Sequence, residues 1–222
     1  MRRPIQRFMA DNRGIATSLM EATLVITIAA VLSSVAVAIS SDQVADADRA
    51  NSSSEVKLIG VSILAFMQDT GHAPAFRSGD AIGASDPFTP ILETEGSDPD
   101  DTTGTWPGAE NRDLLDNHLN RNNPAESGVA YVRPGEIAHA RFQGWNGPYM
   151  SKLPAADPWG DKYLANTGFL TSQGVQQANL PQGKKPAVFV ISAGANRSLE
   201  TRFLQAADEF QSGGDDLVFR IQ

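Results

Sequence analysis

Carboxylates in two different settings are the residues of this 222-residue chain best placed to do chemistry. The first is Glu21. It is the only charged residue between Arg13 and Asp42, and the uncharged stretch Ala22 to Ile39 follows it. A charge inside a membrane-length apolar helix costs about 2.5–3.5 kcal/mol on insertion scales, so an acid kept there calls for a partner. The second setting is Gly213-Gly214-Asp215-Asp216, directly before Leu217. Calcium takes six to eight oxygens from carboxylates, amides and carbonyls. A Gly-Gly-Asp-Asp turn facing a loop that carries Asn196 and Glu200 offers several of them. The competing reading is that Asp215 and Asp216 simply solvate a turn.

Other chemistries find little support. His72, His118 and His139 lie far apart without metal-ligand spacing, and His118 is expected as a polar surface residue of a short helix. The absence of cysteine removes disulfides, cysteine–zinc sites and thiol catalysis. There is no phosphate-binding loop, no G-x-G-x-x-G after a strand and no G-x-S-x-G elbow. No acid pair stands out on apolar faces as a glycosidase dyad would. The expectation is a protein that is not an enzyme. Its formal net charge is -8, and loss of residues 1–16, with Arg2, Arg3, Arg7, Arg13 and Asp11, would bring it to -11. Such acidity disfavours nucleic acid and anionic membrane surfaces and suits divalent cations. A bound ion is also one way to pin long loops when disulfides are lacking.

The elements that must position these groups can be read from periodicity. Four arginines before Glu21 favour keeping that end in the cytoplasm. Ala22 to Ile39 would rise about 27 Å as a helix at 1.5 Å per residue, close to a bilayer core. The same residues also describe a secretory signal cut after Ala36-Val37-Ala38, with a mature start near Ile39, or a plain signal anchor. The helix is expected to continue beyond Asp42. Val56, Ile59, Ile63 and Phe66 form one apolar stripe, Ser52-Ser53-Ser54 is a local weak point, and Gly71 and Pro74 stop the helix near Asp69. From about Arg77 to Gly144 the composition is that of loop, with a short helix over Asn111–Asn120 burying Leu114, Leu115 and Leu119 and a short strand over Val129–Val132. The acidic run 95–101 reads as solvated surface. The last third predicts strands at Lys162–Asn166, at the apolar run Ala187–Ile191 and at Leu217–Ile221. Asp157-Pro158-Trp159-Gly160 predicts a type I turn with Trp159 as an apolar plug beneath it. The fold class is α+β, with a long N-terminal helix packed on a small C-terminal antiparallel sheet.

The N-terminus resembles that of type IV pilin-like proteins, which carry a basic leader, a cleavage site, a Glu five residues into the mature chain and an apolar helix. Matching Glu21 to that acid places the cut between Ala16 and Thr17, and so implies a new α-amino group four residues from Glu21, on the same helix face and about 6 Å away along the axis. The family usually has Gly before the cut, and the alternative cut after Gly14 would make Ile15 the first residue. The segments Trp145-Asn146-Gly147-Pro148-Tyr149-Met150, Asp157-Pro158-Trp159-Gly160-Asp161, Ile191-Ser192-Ala193-Gly194-Ala195-Asn196 and Gly213-Gly214-Asp215-Asp216-Leu217 extend the likeness to the major pseudopilin of type II secretion systems. The resemblance covers about 14–76 and 145–222. Eighteen residues between Asn196 and Asp215, and no cysteine pair, depart from the pattern.

That resemblance implies a leader at 1–16, a transmembrane and polymerisation helix at 17–41, its amphipathic half at 42–71, a variable insertion at 72–144 and a C-terminal sheet with a calcium loop at 145–222. It implies calcium held by Asp215 and Asp216 with Ser192, Asn196 and Glu200 nearby. The implied partners are further copies of the chain in a helical polymer, minor pseudopilins, an inner-membrane assembly platform and a prepilin peptidase. The implied location is the inner membrane, N-terminus cytoplasmic and domain periplasmic, with a pseudopilus after assembly. A type IV pilin or minor pilin, and a secreted or membrane-anchored binding domain exported by an ordinary signal, are the alternatives.

Overall fold

A computed structural model describes residues 42–76, 89–136 and 144–222. The leader, Glu21 and the apolar run at 17–41, together with His139, lie outside the described residues. The chain divides into two units, Met1–Ala47 and Asp48–Gln222. Residues 42–47 of the first are helical and exposed. Among the described residues no helix is long and apolar enough to cross a membrane.

Helix α1 spans 42–70 without a break, so the three serines at 52–54 do not interrupt it. Ser52 is instead buried, and the Tyr163 hydroxyl approaches it at 3.4 Å. The helix ends where Gly71 donates its N–H to the Met67 carbonyl at 2.9 Å. Val56, Ile59, Ile63 and Phe66 are all at most 2 % exposed, as their spacing requires. Burying such side chains stabilises by about 1.5–3 kcal/mol each. That outweighs the cost of about 1 kcal/mol for a glycine inside a helix. Gly60 has its own reason to be there: a Cβ would lie 2.2 Å from Cδ1 of Phe219, so the ring packs directly on helix backbone.

A five-stranded sheet receives this stripe. Its strands are β1 (Ile91–Glu93), β3 (Arg112–Leu114), β4 (Leu164–Ala165), β5 (Phe189–Ser192) and β7 (Leu217–Arg220), in the order β3-β1-β4-β5-β7. β5 is an interior strand, flanked by β4 and β7 and buried along its whole length, which explains its uninterrupted apolar sequence. Register places Leu92 opposite Ala165, Ala165 opposite Val190 and Val190 opposite Phe219. This row faces the helix. Ile91, Leu164, Phe189 and Ile191 occupy the other face and form a second core with Trp106, Phe169, Leu199 and Phe203. At the edge, β7 is half-buried on both faces, so its alternation does not separate a wet side from a dry one. A parallel pair, β2 (Asp100–Asp101) with β6 (Ser198–Leu199), flanks the sheet. Short helices α2 (Leu115–Leu119) and α3 (Ser172–Ala178) complete the elements used below.

Three expectations require correction. The sheet is not wholly C-terminal or wholly antiparallel: 72–144 supplies β1 and β3, and these two pair in parallel. The helix expected over Asn111–Asn120 is confined to Leu115–Leu119, because 112–114 extends to join β1, leaving Leu114 only half-buried. No strand forms at Val129–Val132. There the Asn122 side chain takes the place of a partner strand, donating to the Tyr131 carbonyl at 3.0 Å and accepting the Tyr131 N–H at 2.7 Å. The acidic run is largely exposed, although Asp98 pairs with Arg112 at 2.6 Å and with Lys162 at 3.1 Å.

Candidate functional site

Antiparallel pairing of β5 with β7 sets Ser192 opposite Leu217. The loop leaving β5 therefore runs beside the Gly-Gly-Asp-Asp turn that leads into β7, as the sequence reading requires. Two glycines let the acids close in. Gly194 has φ +72°, and a Cβ there would meet the Asp215 carbonyl at 2.6 Å and its carboxylate at 2.9 Å. Gly214 has φ +43°, and a Cβ there would fall 1.2 Å from Oε2 of Glu200. Both positions combine a left-handed backbone with no room for a side chain.

The contacts form a knot around these turns. Asp215 Oδ2 accepts the Asn196 N–H at 3.1 Å. Glu200 Oε2 accepts from the Asn196 amide at 3.0 Å and from the Asp215 N–H at 3.2 Å. Asp216 Oδ2 accepts the N–H groups of Glu200 at 3.0 Å and Thr201 at 2.6 Å. Among the described residues, Asp215 Oδ1 and Asp216 Oδ1 are buried without a hydrogen-bond partner. Burial pushes the Asp216 carboxyl up and the charge of Glu200 adds to this, against the hydrogen bonds from Thr201 and Glu200. No ion pair among the described residues reaches Glu200, Asp215 or Asp216.

Orphaned carboxylate oxygens on a buried acid fit a hard cation. Among the described residues no group of three or more His, Cys, Asp or Glu side chains already converges on a metal position. Calcium tolerates this better than zinc would, because it takes main-chain carbonyls, amides and water alongside carboxylates. Asp215 and Asp216 would then be the carboxylate ligands, with Glu200 and Asn196 beside them. The Ser192 hydroxyl is engaged within its own neighbourhood. It donates to Asp157 Oδ2 at 2.7 Å and accepts the Gly194 N–H at 3.2 Å.

The Asp157 turn forms as expected, with the Gly160 N–H on the Asp157 carbonyl at 3.0 Å. Its plug is not Trp159, which is only half-buried. Asp157 itself, 5 % exposed, fills the turn by accepting the N–H groups of Trp159 at 3.0 Å and Asp161 at 2.9 Å.

His118 is the functional-looking residue that the sequence reading misplaced. It is fully buried rather than on the surface. Its Nε2 lies 2.7 Å from Asp113 Oδ2 and its Nδ1 lies 2.6 Å from the Tyr131 hydroxyl. A carboxylate only accepts, so Nε2 carries a hydrogen toward Asp113, and the phenol hydroxyl completes the second ring nitrogen's bond. Asp113 also receives the Leu114 N–H at 2.7 Å, the Asn117 amide at 2.9 Å and the Ala125 N–H at 2.6 Å. Burial opposes its ionisation, but these bonds together with the His118 bond and charge outweigh burial, holding the carboxyl below the usual aspartate range. Burial pushes the Tyr131 phenol well up. An Asp-His-Tyr row sealed this way joins β3, α2 and the 131 segment and presents no nucleophile to solvent. The signal that could have found it is spacing: His118 stands three residues after Leu115 and one before Leu119, on the apolar side of the short helix.

Compared with protein-family models, with curated proteins and with solved structures, the chain matches none of them.

Proposed function

We propose that this chain is a structural pseudopilin subunit. It is made as a membrane precursor, cut between Ala16 and Thr17 by a prepilin peptidase and polymerised through its helix into a type II secretion pseudopilus or a related fibre. The observation that carries this reading is the pairing of Glu21, a lone acid opening an apolar run, with a helix at 42–70 that lays a continuous stripe on a sheet. An ordinary export signal needs neither. Glu21 pairs with the new amine at Thr17, within one chain or between staggered neighbours, which offsets the cost of both charges in a medium of low dielectric constant. Its partners are further copies, minor pseudopilins and the assembly platform of the inner membrane, with the domain on the periplasmic side. Calcium, held by Asp215 and Asp216 with Asn196 and Glu200 adjacent, ties the start of the last strand to the preceding loop.

N-terminal sequencing of the mature protein tests this reading. A start at Thr17, or at Ile15 after a cut behind Gly14, is the expected result. A soluble mature chain starting near Ile39 would overturn it in favour of a secreted binding domain.

A further inference from the structure

The turn at 157–161 and the loop at 192–198 are far apart in the chain, yet two side-chain pairs tie them together. Asp157 grips the start of the loop through the Ser192 hydroxyl at 2.7 Å. Asp161, fully buried, grips its end through a two-pronged bond to Arg197, Nε to Oδ2 at 2.9 Å and Nη2 to Oδ1 at 2.6 Å. The two acids are locked to each other as well, the Asp161 N–H on Asp157 Oδ1 and the Asp157 N–H on the Asp161 carbonyl at 2.8 Å. Arg197 adopts φ +61°, a left-handed conformation that a non-glycine residue holds only when its surroundings impose it. Its main chain is fixed at both ends, with the N–H on the Gly194 carbonyl at 3.2 Å and the carbonyl accepting the Asp100 N–H at 3.0 Å. Between the two grips lie Gly194, against which Asp215 packs, and Asn196, which touches both Asp215 and Glu200.

We infer that the 157–161 turn and Arg197 are the positioning clamp of the cation loop, setting its shape without contributing ligands. All four carboxylate oxygens of Asp157 and Asp161 already have partners, so neither acid has a free oxygen to offer an ion. Ser192 belongs to the clamp for the same reason. Arginine suits the far grip because a planar fork fixes direction as well as distance, which the point charge of lysine does not. Two sequence motifs that look independent, D-P-W-G-D and S-A-G-A-N-R, thereby act as one device. This inference rests on the cation reading above.

The test uses the full-length chain in detergent, with calcium titrated calorimetrically and unfolding followed in chelator. Wild type binds calcium and Asp216→Asn does not. Arg197→Lys, which keeps the charge and loses the fork, binds calcium about 10–100-fold more weakly at an unchanged unfolding midpoint in chelator, as loss of a supporting contact behind a ligand does. Should Arg197→Lys fold poorly, the paired change Arg197→Met with Asp161→Asn removes both charges together and is read the same way. Wild-type calcium affinity in these clamp variants, with Asp216→Asn still inactive, overturns the clamp alone. No binding by wild type overturns the cation reading and the clamp with it.

Discussion

Replacing Tyr131 with phenylalanine removes one oxygen from the interior and little else. The edge-on contact of the ring with Phe66, centroids 4.9 Å apart, does not need the hydroxyl. What is lost is the hydrogen-bond partner of His118 Nδ1, in a place where the imidazole is fully buried. Leaving one buried polar atom unsatisfied costs about 1–3 kcal/mol. At a urea dependence of about 2 kcal/mol per molar, a loss of about 2 kcal/mol lowers the unfolding midpoint by about 1 M. Trp145 is a suitable reporter, since its indole N–H donates to the His118 carbonyl at 2.9 Å and its ring is buried. The sharper measurement is a double-mutant cycle with His118→Leu. Each single change strands a partner, while the double change strands only Asp113, which keeps three other donors. The two costs should fall short of additivity by about 1 kcal/mol or more. Costs that add to within about 0.5 kcal/mol would refute a coupled Asp113-His118-Tyr131 row.

Gly60→Ala should destabilise by about 1–3 kcal/mol, despite the better helix propensity of alanine, because the new methyl collides with Phe219. Equal or higher stability by urea unfolding would remove the close-approach argument, and Phe219→Leu in the same chain should recover part of the loss. Asp113 has its carboxyl held low in the fold, so its stabilisation is present above the unfolded value of about 3.9 and is lost as pH falls through the lower folded value. Asp113→Asn, though less stable at neutral pH, should therefore lose stability less steeply below about pH 4, and parallel acid limbs for variant and wild type would count against this. Calcium at about 100 times its Kd should add about 2.7 kcal/mol of stability, seen as a higher melting temperature than in chelator. Asp215→Ala and Asp216→Ala should each remove most of that difference, and an unchanged wild-type melting temperature would return both acids to a solvated turn. Glu21→Ala should still insert in the membrane but assemble poorly into fibres, and normal fibres from that variant would defeat the pairing mechanism.

What could be read from sequence was set by local rules. The stripe at 56, 59, 63 and 66 is a helix whatever it packs on, and Ala187–Ile191 is too apolar to lie anywhere but mid-sheet. The Asp-Pro-Trp-Gly turn carries its own geometry. The strands β1 and β3 escaped notice because each has only three residues, in a stretch rich in Pro, Asp and Gly, and each is held extended by pairing outside its own segment, β3 with β1 and β1 also with β4. Val129–Val132 failed for the opposite reason: its composition favours a strand, but Asn122 satisfies the Tyr131 main chain and the phenol turns inward to His118. At the candidate site, the glycines and paired acids were legible as turn chemistry. The role of Ser192 was not, because the turn that holds it lies 35 residues earlier.

The sheet also dictates an order of events during synthesis. Its interior strand β5 pairs with β7, and Ile221 and Gln222 donate their N–H groups to the Val188 carbonyl at 2.8 and 3.2 Å. The stripe of α1 is made first, yet Val190 and Phe219, which cover it, arrive well over a hundred residues later. At about 5–20 residues per second the delay is on the order of ten seconds. For that time a nascent chain has only the earlier part of the cluster, Leu92, Leu115, Leu119 and Tyr131 among it, to cover Ile59, Ile63 and Phe66, and the stripe stays partly open.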